Sequence, residues 1–415
     1  MVAQVILNDS LYRQAIHWQL AAKRMSALEN LASQQAWHGV DHSIALSLKQ
    51  SFANSINEVI LLADQLINAL KAGIDRKQAH NMLLRLRNKY TRAEETIHYY
   101  TIAINSRINP SIAALLRACD LLCKRSMEEI LKPLGKNTPL VMTYVDKGIG
   151  ASILKAGLRL WDGKISPVAA IKITQHNLYR PTAIIHETGH QVAHILNWTE
   201  EIEVALTNEL KIHGDDVANA FTGWSSEMAA DAFAFVHTGF AAVAALHDVV
   251  SGSADTVFTY HKHDPHPISF VRVILNIAMC KLYFGHGVWN NLEASFLNNY
   301  DIDSSMNPNK NLILQCNNAA ADVAKILVSR PYKAFNGGSL AQLIDPMKVS
   351  PKELEKMEYL AGPSLYTSHA WIVKESLRIL ALNGYKIGAG LDDLPQLYKQ
   401  QEEWMIKLGF AVDMN

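Results

Sequence analysis

The chain has 415 residues, 49% of them hydrophobic and 19% charged, which excludes a disordered, collagen-like or fibrous coiled-coil protein. Its formal net charge is zero, and a nucleic-acid binder needs a basic excess to neutralise phosphates, so that class is set aside. The length exceeds one small core and predicts two or three domains, or one large elaborated one.

Four cysteines, Cys119, Cys123, Cys280 and Cys316, form no paired framework and no CxxC motif. They read as buried thiols in a reducing compartment. The start, MVAQVILNDSLYRQ, lacks a basic segment followed by an apolar one, so no signal peptide is expected. The most apolar stretch, 229–250, contains Asp231, His237, His247 and Asp248 and reads as a buried helix. The expectation is a soluble, cytoplasmic protein without an integral membrane segment.

Residues 1–135 predict four long helices in an antiparallel bundle, expected to serve as scaffold, substrate-side wall or partner-docking surface. In the second helix Leu48, Phe52, Ile56, Val59, Ile60, Ala63, Leu66, Ile67 and Leu70 recur every three or four residues. Gly73 reads as a stop, Asp75 as the next N-cap, and Asn109-Pro110 as an N-cap with proline at the first helical position. Pro139 to Val145, Gly157 to Trp161 and Val168 to Thr174 read as short strands, with Asp162-Gly163 as a hairpin turn. The strand at 168–174 is expected to offer a sheet edge to an extended substrate. A helix follows from Pro181 to about Leu196, and another from Ser225 to Val250. A polar, His-rich loop occupies 251–265, and 267–415 is mostly helical, broken at Asn336-Gly337-Gly338. The predicted division is a helical bundle at 1–135, a core carrying the chemistry at 136–290 and a helical region at 291–415. The fold class is α+β, mostly α.

The chemistry is concentrated in His186-Glu187-x-x-His190. Residues four apart share a helix face, so both imidazoles reach one ion, while Glu187 stands ready to take a proton from water. A catalytic zinc takes three protein ligands and keeps one position open. Glu227, 37 residues after His190, supplies the third, and Asp231 lies one turn further along the same face. Asp231 is expected to accept the far N–H of a ligand imidazole. Acids on so apolar a helix require partners, which argues against a merely solvated face.

HExxH followed by Glu227-x-x-Ala230-Asp231 resembles the gluzincin metallopeptidases, and within them the CAAX prenyl protease and HtpX-like family. That family carries a downstream His-Pro followed by an Arg, matched here by His266-Pro267-Ile-Ser-Phe-Val-Arg272. The resemblance covers about residues 140–280. It implies a zincin-type core with a small sheet and an HExxH helix, a Zn2+ cofactor, and cleavage of protein or peptide substrates. His266 and Arg272 would stabilise the oxyanion. The membrane-spanning helices common in those relatives have no counterpart here. A non-peptidase zinc amidohydrolase and a helical scaffold with a structural or vestigial zinc are the alternative readings.

Tyr179, Tyr366 and His369 are further candidate transition-state donors. His194 extends the histidine stripe, but Ala193 and Leu196 stand where a metzincin needs glycine and histidine, so it reads as a packing or ligand-supporting residue. His261, His263 and His266 suggest a polar lid before a second metal site. Gly135-Lys136 lacks the Ser or Thr of a phosphate loop. The absence of Gly-x-Met-Glu-Asn, an exopeptidase signature, points to endopeptidase activity.

Overall fold

The structure is a computed structural model that describes residues 10–303 and 307–412. Most of the opening segment inspected for a targeting signal falls in residues 1–9, outside them. The chain is α+β and mostly α. It forms two compact units: Met1–Arg117 with Pro139–Tyr144 and Leu154–Ala170, and Ala118–Thr138 with Val145–Ile153 and Ile171–Asn415. The helices after residue 291 therefore share a unit with the HExxH helix. No helix among the described residues is long and apolar enough to cross a membrane.

The first unit is built on α1 (Ser10–Met25), α2 (His42–Lys71) and α3 (Arg76–Asn105), followed by the start of α4 (Pro110–Leu131). Capping decides where these helices begin. Asp41 accepts the Ser43 and Ile44 N–H groups, Asp75 accepts that of Gln78, and Asn109 accepts that of Ser111 ahead of Pro110. Gly73 sits in the α2–α3 turn at φ +79°, where a side chain would be strained. The apolar face of α2 is buried as its periodicity predicts: Leu48, Phe52, Ile56, Val59, Ala63 and Leu66 are at most 1% exposed. Burying each larger side chain stabilises the fold by about 1.5–3 kcal/mol. Polar ties complete the unit. Arg107, also buried, donates to the Gly39 and Thr143 carbonyls at 3.0 and 2.7 Å. Ser55 donates to Asp162 at 2.7 Å.

The three strands, β1 (Val141–Val145), β2 (Ser152–Leu154) and β3 (Ala169–Ile173), pair in the order β1-β3-β2. Ala169 N–H donates to Leu140 O and Asp146 N–H to Ile173 O, so β1 and β3 run parallel. Two expectations change here. β3 is flanked on both sides, so it offers no free edge to a substrate. Residues 157–161 form no strand; Arg159 and Ile165 make one antiparallel bridge around a turn that places Gly163 at φ +83°.

In the second unit, β3 runs through a turn of 3-10 helix, Gln175–Tyr179, into α5 (Ala183–Leu196). Asn197, at φ 50°, closes α5 in a left-handed cap. α5 crosses α6 (Ser225–Thr238) in close contact: a Cβ on Gly189 would lie 2.8 Å from the Ala230 Cα. The helix expected over 225–250 is broken. Gly239 turns at φ +56°, and α7 (Phe240–Val250) continues in a new direction. A Cβ at Gly239 would meet the Val349 carbonyl at 2.8 Å, so packing permits only glycine. The loop at 251–265 contains a short helix, Ala254–Phe258, capped by Ser253. After it comes α8 (Ser269–Phe284), and near the C-terminus α9 (Ser376–Ala389) packs on α7.

Candidate metal centre

α5 and α6 position the site. On α5, His186 and His190 are one turn apart, and their Nε2 atoms lie 3.1 Å from each other. The Gly189–Ala230 crossing brings Glu227 of α6 against both rings. Its Oε2 is 3.4 Å from His186 Nε2, and its Oε1 is 3.2 Å from His190 Nε2. Among the described residues these three form the one group of His, Cys, Asp or Glu side chains arranged to hold a metal ion. Tetrahedral bonds of about 2.0–2.2 Å separate neighbouring ligand atoms by about 3.3–3.5 Å. The observed triangle is close to that size, so the donor set fits zinc.

Each ligand is oriented from behind. His186 Nδ1 donates to Asp231 Oδ1 at 2.8 Å, which leaves the Nε2 lone pair facing the centre. His190 Nδ1 is 3.3 Å from the Ser226 hydroxyl. Arg272 of α8 grips Asp231 with two bonds, Nε to Oδ2 at 2.8 Å and Nη2 to Oδ1 at 2.7 Å, and its Nη2 also lies 3.0 Å from Glu227 Oε2. This guanidinium is engaged with the carboxylates that build the site. It holds these carboxylates in place, and its Nη2 also lies 3.5 Å from His186 Nε2. Asn276, one turn after Arg272 on α8, donates to Asp231 Oδ2 at 3.1 Å and is 1% exposed. Sequence reasoning missed it; its spacing from Arg272 was the available signal.

The centre is electrically dense: Glu187, Glu227, Asp231 and Arg272 are all buried, and buried charges require partners. Burial would pull the His186 imidazole down, but Asp231 and Glu227 outweigh it and lift it to about 10. Burial pushes the Glu227 carboxyl up, yet His186, His190 and Arg272 hold it far below the usual range. Asp231 is likewise held low, against its burial, chiefly by Arg272. These carboxylates favour positive charge at His186, the position a divalent ion would take.

Glu187 follows His186 on α5 and is 7% exposed; its charge acts on Arg272. His266 lies at the rim, 63% exposed. Its Nδ1 is held 2.7 Å from Asp264, and its Nε2 is 3.8 Å from Glu227 Oε1. The other candidates are placed elsewhere. Tyr366 donates its hydroxyl to Asn383 at 2.7 Å, and His369 Nε2 lies 3.5 Å from the Ala411 carbonyl. The side chain of Tyr179 is outside the described residues. His194 is exposed, as are His261 and His263 on the loop. The chain matches no protein-family model, no curated protein and no solved structure.

Proposed function

We propose that this chain is a zinc-dependent endopeptidase. The observation that carries the reading is the triangle of His186, His190 and Glu227 ligand atoms, two of them on the helix that also carries the buried Glu187. His186, His190 and Glu227 would hold the ion. A zinc ion so bound supplies Lewis acidity, acidifying water and polarising a substrate carbonyl.

The residues of the chain divide the remaining work. Glu187 accepts the proton of the attacking water and returns it to the leaving amine. Asp231, fixed by Arg272 and Asn276, keeps His186 in the tautomer that presents Nε2. His266, polarised by Asp264, stands at the rim to donate a hydrogen bond to the developing oxyanion. The general base favours catalysis over a structural zinc, because a closed structural site uses four protein ligands and has no task for Glu187.

The deciding experiment measures metal by elemental analysis alongside hydrolysis of an unfolded protein. Wild type is expected to hold about one zinc per chain. Glu227→Ala should lose both zinc and activity. A wild-type protein that takes up no zinc on reconstitution overturns the reading.

A further inference from the structure

A cavity of about 550 Å3 opens beside the N-terminal end of α5, within the range of small-ligand sites. Ala183, Ala245 and Val249 give it apolar walls; Arg180, Asp248 and His176 give it polar ones. Its relation to the metal centre follows from α5. Between Ala183 and His190, only Ala183 and His186 are not buried. They are three residues apart, hence on one face and about 4.5 Å apart along the axis. The cavity and the metal ligand therefore open on the same side of the helix, one turn from each other.

The charges in the cavity are already matched. Arg180 donates to Asp248 Oδ2, and Asp248 Oδ1 also lies 3.1 Å from His247 Nδ1. The Arg180 side chain is 14% exposed and that of Asp248 53%. An acidic guest would have to compete with Asp248 for the guanidinium. A basic guest would have to compete with Arg180 and His247 for the carboxylate. A basic guest would leave the largely buried Arg180 guanidinium without its partner, and an acidic guest would have to displace a carboxylate already seated on it. An uncharged side chain meets the apolar walls and disturbs nothing, so the ion pair selects by penalising the alternatives.

We propose that this cavity receives a substrate side chain next to the scissile bond, and that the Arg180–Asp248 pair makes it select large uncharged side chains. The proposal rests on the peptidase reading and adds the substrate class to it. Removing either charge then redirects selection in opposite senses. Asp248→Asn frees Arg180 and favours acidic side chains; Arg180→Gln frees Asp248 and favours basic ones. Each shift is about tenfold, the scale of one pocket contact. Exchanging the two residues, Arg180→Asp with Asp248→Arg, restores a neutral pair and the original preference.

The test uses a mixed peptide library in two arms. One arm sequences the products cut by wild type, the two single variants and the exchanged pair. The other sequences the peptides retained by zinc-loaded Glu187→Gln protein carrying the same substitutions, which reads recognition without turnover. Opposite shifts in the single variants, reversed by the exchange, support the proposal. Cleavage or retention with the same preference in all four proteins overturns it and leaves the peptidase reading intact. Neither cleavage nor retention by any of them removes the peptidase reading, and the pocket's role with it.

Discussion

At the scale of single residues, the centre separates groups that hold a metal from the group that moves a proton. Glu187→Gln keeps size and shape but cannot accept a proton. Zinc content should stay near one per chain while hydrolysis falls by at least about 100-fold. Asn276→Ala removes one of the two groups that fix Asp231, leaving Arg272, and touches no ligand atom directly. Zinc affinity, measured by competition with a chelating dye, should fall about 10- to 100-fold, the usual range for such supporting residues. Unchanged affinity would mean that Arg272 alone suffices to fix Asp231.

His237, on the far turn of α6, sets a pH dependence of a different origin. Its side chain is fully buried, its Nδ1 bonds the Phe233 carbonyl at 2.9 Å, and Nε2 is 3.7 Å from Glu129. Burial pulls this imidazole below its ordinary value of 6.5, and Glu129 only partly opposes that. A base whose folded pKa is depressed binds its proton more readily when unfolded. Its contribution to stability is therefore complete above 6.5 and is lost as pH falls from there toward the folded value. Thermal melts at about pH 7.5 and about pH 5.5 should show a smaller acid-induced drop in His237→Gln than in wild type. An equal drop in both proteins would assign the acid sensitivity to other groups.

Among the elements, the α5–α6 crossing governs the site. Gly189 is the position that lets the two helix backbones approach, with Ala230 Cα and Phe233 Cβ at 2.8 and 3.0 Å from where a Cβ would stand. Gly189→Ala favours the helix by propensity, yet it must push α6 away. We expect a net loss of about 1–3 kcal/mol in stability, as for overpacked cores. We also expect weaker zinc binding, because Glu227 rides on the displaced helix. Denaturant melts and metal content measured together check this. Higher stability with full zinc content would show that the crossing relaxes without cost. The same interface explains why the HExxH pattern has Gly189 within it and why Ala230 stands beside Asp231. Both small residues lie at the crossing, away from the chemistry.

For the whole molecule, the proposed metal site would couple metal binding to the stability of the second unit. The site joins α5, α6 and α8 around the buried carboxylates of Glu227 and Asp231. Chelation should lower the melting temperature of wild type, and added zinc should restore it in a concentration-dependent way. The Glu227→Ala protein should melt at one temperature with or without chelator. A chelator effect of equal size in both proteins would place the responsible ion elsewhere.

Much of this architecture was legible in the sequence because the relevant signals are local. The α2 face follows from a three- and four-residue period, and the helix starts follow from Asp41, Asp75 and Asn109-Pro110, whose side chains act within a turn of themselves. His186 and His190 share a face by helical geometry alone. That Glu227 would meet them across 37 residues was inferred from the need for a third ligand and from the cost of unpartnered acids on an apolar helix, since nothing local links α6 to α5. Only tertiary packing decided that β3 is flanked on both sides, that Gly239 divides α6 from α7 against Val349, and that Arg272 turns inward onto Asp231. Those outcomes depend on which backbone or charge arrives from a distant part of the chain. Periodicity and capping carry no information about such arrivals, because they report a residue's neighbours along the chain and not its neighbours in space.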